Sequence, residues 1–349
     1  MPVRRWLAAA AGVALAATSF GAAWAHSSAG SEKATTPTVV RDVSTTLAGV
    51  LAGRLNQIGG GTVGGGGFGA GTAMVTPLTG SETGRSGAVA LKDTALWANA
   101  GYTSLDNNNA LTAYDGHAIP VLVGIDTSPW DPLTVGIAFG YERVELDTAF
   151  NQGTLNWNGY TATPYAVLRF LNNYSVDVSA SYSRLNNDVS RLNGTASGSY
   201  DSDRWLGTAN LNGNWSVDNW RLGATIGYLY LHQIDDGYTE TGPASGGAVT
   251  GHATTIGQGR AGLRLGYNFG MVEPYVKARV EHEFITPGTQ LVSPATGGIV
   301  SSDNTGYVIG VGALLNFNNR LSGAIEGTTT QGRDKQDIWG IAGTIRFRF

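Results

Sequence analysis

Read two residues at a time, most of the chain from residue 92 onward separates into an apolar and a polar face. Tyr174, Val176, Val178, Ala180 and Tyr182 alternate with Ser175, Asp177, Ser179, Ser181 and Ser183. Val272, Pro274, Val276, Ala278, Val280 and Phe284 alternate with Glu273, Tyr275, Lys277, Arg279, Glu281 and Glu283. Leu133, Val135, Ile137, Phe139 and Tyr141 oppose Thr134, Gly136, Ala138, Gly140 and Glu142. A period of two is that of a β-strand whose faces meet different surroundings. Twelve such stretches are predicted, over 94–105, 113–126, 132–146, 154–170, 173–190, 198–216, 219–234, 252–269, 271–286, 303–317, 320–331 and 337–349. Strands of soluble domains run to ~5–6 residues, whereas a tilted bilayer-crossing strand needs ~9–11. Most of the predicted strands are of the second kind.

The expected fold is therefore all-β, a 12-stranded antiparallel transmembrane β-barrel. Apolar faces would meet lipid, and polar faces a lumen that tolerates charge and water. This phase puts Glu142, Asp177, Arg204, Arg260, Arg264, Glu273, Lys277, Arg279, Glu281, Glu283, Glu326, Arg346 and Arg348 inward. Mixed signs favour pairing across the wall, or holding a segment inside, over ion selectivity, which uses rings of one sign. His282 and Arg143 break the apolar face, but near strand ends, where a charge costs less. Connections alternate in length. Short ones are 128–132, Asn172-Asn173, Asp218-Asn219, a turn near Gly270 and Asn318-Asn319, and long ones include 235–251 and 287–302. Trp130, Phe170, Tyr174, Trp220, Phe317 and Phe349 flank the short turns, as a membrane-interface girdle would.

The last strand, "IWGIAGTIRFRF", has Trp339, Ile341, Ile345, Phe347 and Phe349 on one face and Arg346 and Arg348 on the other. An open sheet edge in hydrocarbon leaves backbone groups unpaired, so this strand should close the barrel against the first.

Before the strands the period changes. Val40, Val43, Leu47, Val50, Leu51, Leu55 and Ile58 recur at helical spacing, which predicts an amphipathic helix over 38–58. Pro37 suits its start and Gly59 its end. A Gly-rich and polar linker follows over 59–91. At the start, Arg4 and Arg5, the apolar run 8–20 and the Ala23-Trp24-Ala25 cleavage motif read as a secretory signal peptide over 1–25. The expected organisation is signal peptide 1–25, short segment 26–58, linker 59–91 and barrel domain 92–349.

Composition narrows the chemistry. The 349 residues include 51 Gly and no Cys, and the net charge is −4, which gives no footprint for nucleic acid. No G-x-S-x-G or H-E-x-x-H occurs, and five His without Cys leave little for a metal site. His282 faces away from Glu281 and Glu283, which rules out a same-face dyad. No His on a strand has a Ser two positions later. No enzymatic activity, cofactor or metal is expected.

The order of amphipathic helix, linker and twelve strands, the stretch "VEPYVKARVEHEF" over 272–284 and the terminal "IRFRF" resemble the translocator domain of bacterial autotransporters. The resemblance implies a Gram-negative outer membrane and a helix threaded through the pore. It also implies insertion by the barrel-assembly machinery, which reads the last strand and its terminal aromatic, with periplasmic chaperones on the way. About a dozen residues separate the cleavage motif from the helix, so no sizeable passenger is expected within the chain, and a separately encoded passenger stays open. Asn56-Gln57 does not match the paired Asn at which some members release passengers. Three functions remain in view: a monomeric translocator-type pore plugged by its own N-terminal segment, a passive small-solute channel, and a surface-binding protein acting through its long loops.

Overall fold

The computed structural model describes residues 28–59, 92–109, 112–286 and 304–349. The expected signal peptide with Ala23 and Ala25, the linker after the helix and the loop 287–302 lie outside the described residues.

The helix α1 spans Thr36–Gly59, preceded by a short 3-10 turn at Ser31–Ala34. The strands are β1 (Lys92–Asn107), β2 (Tyr114–Trp130), β3 (Leu133–Thr148), β4 (Gly153–Phe170), β5 (Tyr174–Arg191), β6 (Ala196–Val217), β7 (Trp220–Asp235), β8 (Tyr238–Thr239), β9 (Ala248–Val249), β10 (His252–Tyr267), β11 (Val272–Ile285), β12 (Thr305–Asn316), β13 (Leu321–Gln331) and β14 (Gln336–Arg348). All but β8 and β9 join one closed antiparallel barrel of twelve strands, each paired with its neighbours in sequence. The two short strands pair with each other in the β7–β10 connection.

Closure runs through the chain end. β14 pairs with β1 from Ala95↔Arg348 to Asn107↔Gln336. The amide of the last residue, Phe349, still donates to the carbonyl of Thr94 at 3.0 Å. No backbone edge is left at the seam, as hydrocarbon requires.

The barrel has a terminal rim, where β1 starts and β14 ends, and a far rim. Terminal-rim turns are tight: 131–132, 171–173, 218–219, 268–271 and 317–320. Gly270 adopts a left-handed φ of 94° in one of them, a conformation that costs a residue with Cβ more. The expected alternation of loop length is weaker than the sequence suggests. Far-rim connections at 149–152, 192–195 and 332–335 are also only a few residues long, because the strands themselves run further out.

That extra length changes what the alternation means. In the terminal half, outward side chains are apolar and exposed: Val176, Val178 and Tyr182 on β5, Ile137 and Phe139 on β3, Ile125 on β2. Beyond Tyr141, Tyr160, Tyr182 and Trp205 the two faces exchange character without a change of phase. Outward residues become Arg143 and Glu145, Asn156 and Asn158, Arg184 and Asn186, Asp201 and Asp203. Inward residues become Val144, Leu146, Leu155, Trp157, Leu185 and Val189, all buried. Here β3–β6 stand in water and hold an interior like that of a soluble protein.

The boundary is a second aromatic girdle, not anticipated from the sequence. Tyr182 packs on Trp205 with centroids 4.7 Å apart, Tyr141 on Tyr160 at 5.4 Å, and Tyr102 on Trp339 at 5.6 Å. The terminal rim carries the other girdle, with Phe170 on Tyr174 at 6.1 Å, Trp220 on Tyr267 at 5.0 Å and Phe347 on Phe349 at 5.3 Å. From Tyr160 to Phe170 is ten residues, ~33 Å along the strand, or about 25 Å along the barrel axis at a tilt of ~40°, the height of an outer-membrane apolar band.

Candidate functional site in the barrel lumen

The lumen is occupied. Val40, Leu47, Ala48, Leu51, Leu55 and Ile58 of α1 form one buried cluster with Trp97, Leu122, Tyr165, Val167, Leu206, Leu229, Leu231 and Ile256 of the inner wall. The helix packs on β1, β4, β5 and β6, off the barrel axis. Fully burying a Leu or Val contributes ~1.5–3 kcal/mol, so this stripe alone holds the helix firmly. Two inner-wall glycines permit it. A Cβ on Gly124 would sit 2.5 Å from the ring of Trp97, and one on Gly136 2.3 Å from that of Tyr165. Each ring occupies the space that a side chain on the neighbouring strand would take, and Trp97 Nε1 donates to Tyr165 Oη at 2.8 Å.

The helix is tied at both ends. At the terminal rim Arg54 pairs with Asp126, which also accepts from Tyr165 Oη at 3.2 Å. The carbonyl of Ile58 accepts from Arg169 Nη1 at 3.3 Å, filling one of the acceptors that a helix end leaves open. Asn214 Nδ2 donates to Asn56 Oδ1 at 3.1 Å. At the far rim Arg41 Nε meets Asp42 at 2.8 Å, its Nη2 donates to Gln336 Oε1 at 2.6 Å, and Glu283 is 3.7 Å away. Val39 and Val43 join the apolar interior of the extension.

Of the charged residues that the alternation puts inward, Glu142, Asp177, Arg204, Arg260, Arg264, Glu273, Glu281 and Glu283 are buried. Lys277, Arg279, Glu326, Arg346 and Arg348 are half-buried. Most of their bonds lie within the wall. Arg204 pairs with Glu142, whose other oxygen accepts from Trp157 Nε1 at 2.8 Å. Arg264 meets Glu273 at 2.7 Å, Arg279 meets Glu281 at 2.6 Å, and Lys277 pairs with Glu326. Among the described residues no cation meets Asp177: Asn210 and Asn212 donate to its two oxygens at 2.7 and 2.6 Å. Glu273 and Glu281 bind wall arginines, and of the three glutamates of β11 only Glu283 comes near a helix arginine, Arg41.

Sequence reasoning missed several of the anchoring groups. Asp126 shares the inward phase of β2, so parity was enough to find it. Asp42 and Gln336 needed the helix position. Arg333, which binds Glu283 at 2.9 Å, sits in the β13–β14 turn, where a strand period says nothing. The inward apolar patch that receives α1 was also missed, because the β7 stretch "IGYLYLHQI" is hydrophobic on both faces.

Residues 28–35 cross the far rim beneath the β8–β9 hairpin. Tyr238 Oη donates to Glu32 Oε1 at 2.6 Å, Lys33 donates to the carbonyl of Thr250, and Asn151 Nδ2 donates to Ser31 Oγ at 3.0 Å. Arg191 grips Glu240 in the hairpin with bonds of 2.7 and 2.6 Å. Burial pushes the Glu32 carboxyl above the ordinary range, against the lowering bond from Tyr238. Burial also acts upward on Glu240, but the bonds from Arg191 and the Gly246 amide outweigh it and hold that carboxyl below the ordinary range.

A closed barrel with a lipid-facing apolar band, two aromatic girdles and charges turned inward is an integral membrane protein of the outer-membrane type. The autotransporter β-domain family model matches residues 96–328, and the chain belongs to that family. In Gram-negative bacteria barrels of this family stand in the outer membrane, and outer-membrane barrels keep their short turns on the periplasmic side and their longer loops outside. The fold is similar to the translocator domain of the autotransporter NalP from Neisseria meningitidis, with TM-score 0.64 and 19% identity, covering 74% of this chain and 89% of that one. It is also similar to the β-domain of the Bordetella autotransporter BrkA, with TM-score 0.60 and 17% identity, covering 74% of this chain and all of that one, 100%. The uncharacterized protein YaiT of Salmonella typhimurium is 25% identical over 259 residues, 68% of this chain. The chain spans about a quarter, 25%, of the length of that relative. Translocator domains of this family are typically non-enzymatic barrels.

Proposed function

We propose that the barrel is the outer-membrane exit of a secretion pathway, with α1 held in its lumen as both the trailing end of the exported segment and the plug. The observation that carries this reading is the direction of the helix. Its N-terminal end lies at the extracellular rim and its C-terminal end at the periplasmic rim, the same rim from which β1 sets out. A chain threaded this way has everything N-terminal to α1 on the outside. The domain layout expected from the sequence fits it: export peptide 1–25, pore helix, linker and barrel 92–349. Inward charges serve to pair the wall and hold the helix.

Deleting 36–59 tests the plug. Planar-bilayer recordings should give a single-channel conductance several-fold above that of the full chain, and an equal conductance would overturn plugging. A porin-like channel for small solutes has less support, because the helix leaves only a cavity of about 210 Å³ beside it.

Trp339, Ile341, Ile345, Phe347 and Phe349 are proposed as the segment read by the barrel-assembly machinery after transit with periplasmic chaperones. All five are 41–70% exposed on the outer face, and the rings of the last two meet edge to face. Removing Phe349 should lower the heat-modifiable outer-membrane form more than it alters conductance. Undiminished membrane levels would sink that role.

A further inference from the structure

Because α1 lies off-axis, the lumen is not filled evenly. A cavity of about 210 Å³ runs beside the helix, lined by β10–β14 and by residues of β1, β2, β6 and β7. Its lining follows the helix from Asp42 to Gln57. Fifteen steps of ~1.5 Å give about 22 Å, much of a ~30 Å hydrocarbon core. The helix presents its smallest residues here, Gly49, Ala52 and Gly53. A Cβ on Gly53 would meet nothing within 4 Å, and one on Gly49 would first meet the guanidinium of Arg279, at 3.7 Å.

Five basic residues of β10, β11 and the β13–β14 turn line the cavity, and four of them have a carboxylate partner. Arg264, Lys277, Arg279 and Arg333 have Glu273, Glu326, Glu281 and Glu283. Among the described residues Arg260 has no carboxylate to itself. Its nearest is Glu281 at 3.8 Å, which Arg279 already binds at 2.6 Å. Its Nε donates to Gln258 Oε1 at 2.6 Å. Its Nη2 is buried and meets no acceptor among the described residues. A buried guanidinium nitrogen without an acceptor is costly, and a cationic lining in low-dielectric walls concentrates anions. The helix brings no spare carboxylate, since Asp42 is bound by Arg41.

We propose that this cavity is a path for small inorganic anions along the helix, with Arg260 as its binding step. The proposal rests on α1 occupying the lumen, and the test separates the two claims. The full chain is reconstituted in planar bilayers under a KCl gradient. The expected result is a small conductance whose reversal potential favours chloride over potassium by at least about threefold, as a cationic lining dictates. Arg260→Gln should bring that ratio close to unity, while Arg260→Lys retains most of it, with heat-modifiable migration checking the fold of each. Gly53→Leu, which alters no charge, should reduce the current and keep its sign. A cation-selective or unselective small current, no current, or full chloride preference in Arg260→Gln would overturn the anion path. A current as large as that of the chain lacking 36–59 would overturn lumen occupancy, and the path with it.

Discussion

The lower and upper halves of β3–β6 are the same strands in the same register, yet they are built inside out relative to each other. Below the Tyr141–Tyr160 and Tyr182–Trp205 girdle, lipid solvates the outer face, so apolar side chains point out and Ser175, Asp177, Ser179 and Ser181 point in. Above it, water solvates the outer face. The strands then stay together by burying Leu155, Trp157, Leu185 and Val189 against each other and against Val39 and Val43 of the helix. The difference teaches that alternation fixes which residues share a face, while the solvent around each segment fixes which face must be apolar.

The comparison can be broken where it is strongest. Leu155→Ala opens a cavity in the extension's interior and should cost ~2–5 kcal/mol, read as a lower urea midpoint for the far-rim half. A loss below ~1 kcal/mol would mean that the extension is not held by an apolar interior. Next come two arginines placed outward. Val178→Arg, midway between the girdles on β5, should cost ~2–4 kcal/mol in lipid refolding titrations. Ser199→Arg, outward on β6 and paired in register with Asp188, should change stability by no more than ~0.5 kcal/mol. Equal penalties would erase the boundary between the halves.

The smallest effect is that of pH on the strap over the far rim. Glu32 has a folded-state pKa above its unfolded value, so its contribution is fully present below the unfolded value and is lost as pH rises through the folded one. Glu240 is the reverse: its contribution is present above the unfolded value and is lost as pH falls through its depressed folded one. Acidifying from neutral toward the ordinary Glu range should therefore tighten residues 28–35 before further acid loosens them. Hydrogen exchange at the Thr35 and Val39 amides would record it. Glu32→Gln should remove the tightening and leave the acid loosening, and an unaltered profile would dismiss Glu32 as the titrating group.

Much of the architecture was legible. The phase of β5 and β11 assigned Val178 outward and Glu273 and Glu281 inward, and β14 identified itself as a closing strand. The helix stripe from Val40 to Ile58 was readable from its spacing, within two residues at the start and one at the end. The polarity inversion was less legible. Arg143 read as an exception near a strand end, when it was the first outward residue of a new regime. The pairing of Arg54 with Asp126 was out of reach, since 72 residues separate them and nothing local links a helix position to a wall position.

The sequence alone determined that the chain makes long two-faced strands, that their last member must find a partner strand, and that a separate amphipathic helix precedes them. These follow from side-chain periodicity, which is a local property of the backbone. Only the tertiary structure decided where the membrane stops along each strand, which wall receives the helix, and that Arg260 has no carboxylate of its own among the described residues. Those depend on which distant groups closure brings across a lumen, and on what surrounds the barrel at each height.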